Sequence, residues 1–193
     1  MAGERALTPL AIAALALLTE RDMHPYEMFT TMTERREDLV VKLRAGSLYH
    51  AVNRLAEDGM VIGVGTERDG NRPERTTYAI TASGRERLQD TVADLLAEPA
   101  EEYPSFPFAV SEAHNLDRDR VRELFVARLE RLDGQVAAMR AGHARALGHA
   151  AEMHLLDLDY LIAMRTAEAD WLRRTVERLD DETLDWKATC HDE

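Results

Sequence analysis

The sequence is short of cysteine, of positive charge and of long apolar runs, and each shortage closes a class of function. A single cysteine, Cys190, in 193 residues excludes an internal disulfide framework and points to a reducing compartment, the cytoplasm. The apolar run Leu10 to Leu18 falls well short of the about 20 residues that cross a bilayer, so no membrane span is expected. Glu4 stands where a secretory leader needs positive charge, and Thr19-Glu20-Arg21-Asp22 replaces a small-residue cleavage site. The glycines Gly63, Gly65 and Gly70 lie in and after a strand pattern, with no Lys-Ser/Thr behind them, which argues against a nucleotide phosphate loop. No serine occupies a strand-to-helix elbow and Cys190 lies in the tail, so no nucleophilic constellation is readable. The expectation is a protein that is not an enzyme and carries no cofactor.

Basic side chains number 24 against 36 acidic ones, a net charge of −12, which taken alone speaks against a nucleic-acid partner. The deficit is uneven. Residues 1–90 hold 12 basic and 14 acidic side chains, residues 91–193 hold 12 and 22. Between Asp38 and Glu57 there is no acid, while Lys42, Arg44 and Arg54 fall in that interval. The local field there can attract DNA although the global one does not.

That acid-free interval coincides with a two-faced helix. With Leu48 at zero and about 100° per residue, Ala51, Val52 and Leu55 fall near it as a core-facing side. Ser47, Tyr49, His50, Asn53 and Arg54 occupy the opposite side. A phenol, an imidazole, an amide, a hydroxyl and a guanidinium suit phosphate and base-edge contacts better than an ordinary solvated face of Glu and Lys. A hairpin follows directly: Met60 to Thr66 and Thr76 to Ile80 are rich in β-branched and aromatic residues, and Asp69-Gly70-Asn71 is the chemistry of a tight reversal. Arg68, Arg72 and Arg75 cluster at its tip. One helix away from a polar reading face, they fit a wing lying on the phosphate backbone, with Asp69 and Glu74 diluting the charge.

The buttressing elements are also legible. Thr8-Pro9 opens a helix that is apolar nearly all round, and His24-Pro25 opens a second with Tyr26, Phe29 and Met32 at three-residue spacing. After the hairpin, Thr81 caps a helix over 82–97 with Leu88, Val92, Leu95 and Leu96 as its stripe. The expected fold is mainly α: a winged helix-turn-helix domain, helices plus a two-stranded β wing, at residues 1–92, then an α-helical dimerisation hairpin at 93–193.

The segments LTPLAIAALALL, HPYEM, GSLYHAVNRLAEDGMV and RPERTTYAITASGRERL resemble the PadR family of transcriptional regulators over the whole first half, in order and spacing. The resemblance implies a homodimeric repressor that binds an inverted repeat in double-stranded DNA and is released by a small aromatic or drug-like ligand. It also implies a more basic wing than Arg72-Pro73-Glu74-Arg75 supplies.

In the second half, Pro99, Pro104 and Pro107 mark a junction in which Phe106, Phe108 and Val110 can form one short apolar helix. Asp117 is placed to cap a long helix carrying Val121, Leu124, Phe125, Leu129, Leu132, Val136 and Met139 at three-four spacing. A second helix, from about Met153 to Leu179, carries Leu156, Tyr160, Met164, Ala167, Trp171 and Val176 on one stripe. Gly142 and Gly148 lie between them, and an antiparallel hairpin is the simplest connection. Apolar faces this broad call for the same hairpin of a second subunit.

His143, His149 and His154 are spaced by six and five residues, about 240° and 140° apart on a helix, and do not converge on a metal. Tyr160 and Trp171 lie eleven residues apart, close to three turns, so both rings share a stripe. They are candidate contacts for a flat apolar effector, with a dimer core as the plainer role. Two functional classes follow: a dimeric, ligand-responsive DNA-binding repressor, and a winged-helix adaptor that binds protein. The polar face from Ser47 to Arg54 favours the first, because an adaptor would present apolar anchors there.

Overall fold

The computed structural model describes residues 6–67 and 75–186, with backbone alone at 66, 67 and 75. The chain divides into two compact units, residues 1–101 and 102–193.

In the first unit, α1 (Pro9–Glu20) begins where the Thr8 hydroxyl accepts the Ala11 amide at 3.2 Å, with proline at the first helical position. It buries Leu10, Ala11, Ala14, Leu15, Leu17 and Leu18, as an all-apolar helix must. Helix α2 (Pro25–Glu34) starts on a reciprocal cap. His24 Nδ1 accepts the Tyr26 amide at 3.0 Å, and the Glu27 carboxylate accepts the His24 amide at 2.9 Å. Its inward residues are Pro25, Met28 and Met32, whereas Tyr26 is 60% exposed. The three-residue spacing of Tyr26, Phe29 and Met32 therefore fails at Tyr26 alone: Met32 is buried and Phe29 packs on the core, and the fully buried i, i+4 pair, Met28 and Met32, turns only about 40°. The far ends of α1 and α2 are tied by Arg35, which donates two bonds to Glu20 at 2.6 and 2.8 Å.

A short turn with Arg36 in the left-handed region (φ 60°) and a 3-10 turn over Glu37–Leu39 lead to α3 (Ala45–Glu57), which buries Leu48, Val52 and Leu55. Gly59 ends α3 with φ +73°, a conformation that favours glycine. The Gly59 and Met60 amides return to Ala56 O and Leu55 O at 3.1 and 2.8 Å. Strands β1 (Val61–Glu67) and β2 (Arg75–Ile80) pair antiparallel, from Val61 opposite Ile80 to Glu67 opposite Arg75, with an irregularity between Gly63 and Gly65. Those glycines thus belong to a bulged strand. The root of the hairpin is fastened to the α1–α2 connection, since Met23 and Tyr78 exchange both backbone bonds at 3.1 and 3.0 Å.

Helix α4 (Ala82–Ala97) is capped by Thr81, whose hydroxyl accepts the Gly84 amide at 3.1 Å and lies 2.9 Å from Gly59 O. A Cβ on Gly84 would stand 2.1 Å from Met60 O, so only glycine lets this helix cross so close to the start of the wing. Leu88 packs on the core. Val92, Leu95 and Leu96 are 38, 62 and 84% exposed, so the expected stripe leaves the core of its own unit after Leu88.

In the second unit, α5 (Ser105–Ser111) precedes a 3-10 turn at Ala113–Asn115 and the long α6 (Arg118–Ala146). Asp117 precedes α6 in an extended conformation but makes no side-chain cap. A turn and a 3-10 segment, Glu152–Leu155, lead to α7 (Leu156–Asp180). The hairpin is antiparallel. Ion pairs join the start of α6 to the end of α7, Arg118 to Glu182 and Arg122 to Asp180, and its middle through Arg128 to Glu168 and Arg173 to Asp133. Val121, Phe125, Leu132, Ala169, Leu172 and Leu179 form its core. The α7 residues that face α6 are thus Ala169, Leu172, Thr175 and Leu179. Leu156, Tyr160 and Met164 are left open, 62, 63 and 52% exposed, while Trp171, 37% exposed, stands at the edge of the seam with its ring against Phe125 of α6.

Candidate nucleic-acid interface

The reading face of α3 is built by the same residues that bury its back. Leu48, Val52 and Leu55 fix the helix on α1 and α2. Ser47, Tyr49, His50, Asn53 and Arg54 are left exposed. Two edges bound this face. On one, Tyr49 meets His24 at the start of α2, edge to face, with ring centroids 5.9 Å apart. On the other, Ser47, His50 and Arg54 border a hollow of about 350 Å³ whose opposite wall is Leu7, Thr8 and Ala11 at the start of α1. The two sides of the reading face are therefore supported by the first turns of two different helices.

Charge pairing separates this surface from the rest of the unit. Arg21, Arg35 and Arg36 are engaged by Glu27, Glu20 and Asp38. Lys42, Arg44 and Arg54 are exposed and make no ion pair among the described residues. Cations already neutralised by local acids contribute little to phosphate binding, whereas these three retain their full charge. Glu27 is held below the usual carboxylate range, chiefly by the amide of His24 and further by Arg21, so the cap of α2 is an anionic group set beside the face and not on it.

The wing residues stand differently. Arg75 belongs to the backbone of β2, paired with Glu67, while Arg68 and Arg72 lie outside the described residues. Near the root of the wing, Ile62 and Val64 are 58 and 53% exposed.

The two candidate effector contacts are separated by their surroundings. Trp171 joins Phe106 and Phe125 in a three-ring cluster with centroid distances of 6.2, 5.8 and 6.4 Å, and the Arg128 guanidinium lies 3.6 Å from the centre of the Phe106 ring. A hollow of about 260 Å³ opens beside this cluster, lined by Phe106, Val121, Leu124, Phe125, Arg128 and Arg131 among others. Tyr160 is not part of it. The sequence reading missed Phe106, Phe125 and Arg128 as companions of Trp171, although Phe106 in the proline-marked junction and Phe125 on the α6 stripe were visible as apolar residues. Their meeting is tertiary and leaves no periodic signal. No group of three or more His, Cys, Asp or Glu able to hold a metal occurs among the described residues, and among them no helix is long and apolar enough to cross a membrane.

Residues 14–90 match the model of the transcriptional regulator PadR-like family. No curated protein matches the chain. Among solved structures, the chain is similar to Bacillus subtilis PadR in complex with operator DNA, at 18% identity and a TM-score of 0.75, over 89% of this chain and 99% of that one. The PadR-like regulator BC1756 from Bacillus cereus gives 18% identity and 0.65, over 90% and 99%. Bacillus subtilis PadR in complex with p-coumaric acid gives 17% and 0.71, over 91% and 99%. At such identities the structural likeness establishes the fold, a winged helix with a helical second half. The matched segment contains α2, α3, both wing strands and the start of α4, so the reading face described above lies wholly inside it. Residues 14–90 of this unit thus carry the match to the PadR-like family, a family of transcriptional regulators and not of enzymes.

Proposed function

We propose that the protein is a homodimeric, cytoplasmic repressor that binds an inverted-repeat operator through α3 and is released by a small aromatic ligand. In this reading Tyr49, Asn53 and Arg54 enter the major groove, and Ser47 and His50 flank them. Lys42 and Arg44 meet phosphate ahead of the helix. Arg68, Arg72 and Arg75 hold the wing on the backbone of the duplex. The observation that carries it is the exposed, acid-free face of α3 with Lys42, Arg44 and Arg54 bearing no ion pair among the described residues. Residues 1–92 are the reader and residues 93–193 the dimerisation and effector half.

The dimer reading rests on the unmatched stripe of Leu156, Tyr160 and Met164. Three large apolar side chains on one helix, left open by their own hairpin, form a face suited to self-complementary pairing. Tyr160 and Trp171 are the proposed effector contacts, Trp171 through its cluster with Phe106 and Phe125. The complex of a structurally similar protein with p-coumaric acid makes phenolic acids the first compounds to screen.

Footprinting tests the reading directly. Asn53→Ala and Tyr49→Ala should abolish operator selectivity while leaving a folded dimer, and undiminished protection by both would remove α3 from the interface. Arg72→Ala should weaken specific and random DNA alike and flatten the salt dependence by about one phosphate per subunit. For induction, Trp171 fluorescence with Trp186→Phe as background gives the readout. The Trp186 indole donates to Leu116 O at 2.9 Å, so the background variant is first checked by its melt. Quenching coupled to loss of operator affinity supports release, and quenching without it contradicts release.

A further inference from the structure

The helices of the reader unit contain two glycines, Gly46 in α3 and Gly84 in α4. Glycine weakens a helix relative to alanine, so each calls for a reason. At Gly84 the reason is internal, the Met60 carbonyl oxygen 2.1 Å from where a Cβ would stand. At Gly46 no such reason exists among the described residues. A Cβ built there meets nothing within 4 Å, and the backbone is ordinary right-handed helix. The fold itself has room for a side chain at this position.

What surrounds Gly46 is the reading face. With Leu48 at zero, about 100° per residue places Gly46 at about 160°, opposite the buried side and between Asn53 at about 140° and His50 at about 200°. Gly46 therefore lies on the centre line of the exposed surface, in the first turn of α3, the end of a reading helix that meets base edges. An α-helix with its side chains is about 10 to 12 Å across and the major groove about 12 Å wide. The fit is tight, and a side chain at the centre of the leading turn limits how deep the helix can sit. Gly134 of α6 is equally open, so empty space alone assigns nothing; the neighbours of Gly46 do.

We propose that Gly46 is the point of closest approach of the α3 backbone to the floor of the major groove, bare because the duplex and not the fold requires it. This rests on the reading that α3 enters the groove. A Cβ at this position would hold the whole helix off the bases, and Tyr49, His50 and Asn53 would lose reach together.

Stability and affinity should move in opposite directions in the full chain. Gly46→Ala should melt at or slightly above the wild type, as alanine does in place of a helical glycine. It should nevertheless bind an operator duplex obtained by selection about tenfold more weakly, and Gly46→Leu, also a good helix former, about a hundredfold, the range of overpacked contacts. Binding to random duplex, held by charge, should change less than about twofold. Operator affinity like that of the wild type in both variants, or an equal loss on random duplex, overturns the proposal. Asn53→Ala separates the two readings. If that variant also binds like the wild type, the reading of α3 fails and this inference with it; if it is weakened while the Gly46 variants are not, the inference alone fails. A measurement on the unmutated chain covers the case of a variant that melts low. The Gly46 amide, in a first turn with no intrahelical acceptor, should exchange hydrogen at least about tenfold more slowly in the operator complex than in the free protein, and unchanged exchange overturns the proposal.

Discussion

In the first unit the inner faces of α1, α2 and α3 find cover within the unit: Leu15, Met28, Met32, Leu48 and Val52 are fully buried in one core shared by three helices and a hairpin. In the second, the two-helix hairpin covers Leu172 and Leu179 but leaves Leu156, Tyr160 and Met164 more than half exposed. The fastenings differ as well. The first unit is fixed by caps and close backbone crossings at Thr8, His24, Gly59, Thr81 and Gly84. The second is laced by arginine–carboxylate pairs along the α6–α7 seam, all of them substantially exposed, where such pairs add little stability. The contrast teaches where self-sufficiency resides. The reader has a closed core with a polar face turned out on α3 and an uncovered end to α4, and the helical half leaves open a whole face of α7.

The sharpest way to break the first side of this contrast is Gly84→Val. With Met60 O only 2.1 Å from even a Cβ, the crossing of α4 must open, at a cost of about 4 kcal/mol or more. The thermal melt of the reader should collapse, and an unchanged melt would mean the crossing is not tight.

The second unit is tested by a matched pair. Leu172→Ala, at a fully buried site, should lower stability by about 2 to 5 kcal/mol. Leu156→Glu, on the open stripe, should leave the hairpin folded while sedimentation reports monomer at concentrations where the wild type is a dimer. A wild type that is monomeric at micromolar concentration would make the open stripe something other than a subunit seam.

On the reading face, Asn53→Ala should cost operator binding about 1 to 3 kcal/mol per half-site by removing a bidentate amide contact, with no change in the melt. The smallest effect belongs to the seam. Arg122 holds the Asp180 carboxyl below its ordinary range, so whatever stability the pair adds is present at neutral pH. It is lost as pH falls through the depressed value, below about pH 4. Arg122→Ala should differ from wild type slightly at pH 7 and not at all in strong acid, as followed by urea unfolding at the two pH values.

Much of the reader was legible because its signals are local. Thr8-Pro9, His24-Pro25 and Thr81 mark helix starts that the structure places at the next residue, and the wing follows α3 after a turn of three residues. The back of α3 was readable from spacing, with Leu48 as the reference residue. What periodicity could not give was the third dimension. Tyr26 and Met28 both fit an apolar stripe over so short a helix, and only packing against α1 and α3 decides between them. Leu95 and Leu96 read as core because nothing in a stripe says which part of it its own unit covers. On α7 two adjacent stripes are apolar, and spacing does not say which of them α6 covers; the structure buries Ala169, Leu172 and Leu179. The partnership of His24 with Tyr49 joins residues 25 positions apart, and no pattern announces it.

The most direct test of the account is selection of bound sequences from random duplex DNA by the purified full-length protein. A dimer reading through α3 should enrich an inverted repeat whose half-site centres lie about one helical turn, 34 Å, apart, and Tyr49→Ala should lose that enrichment. Recovery of no common sequence, or of the same repeat by the Tyr49→Ala variant, would contradict it.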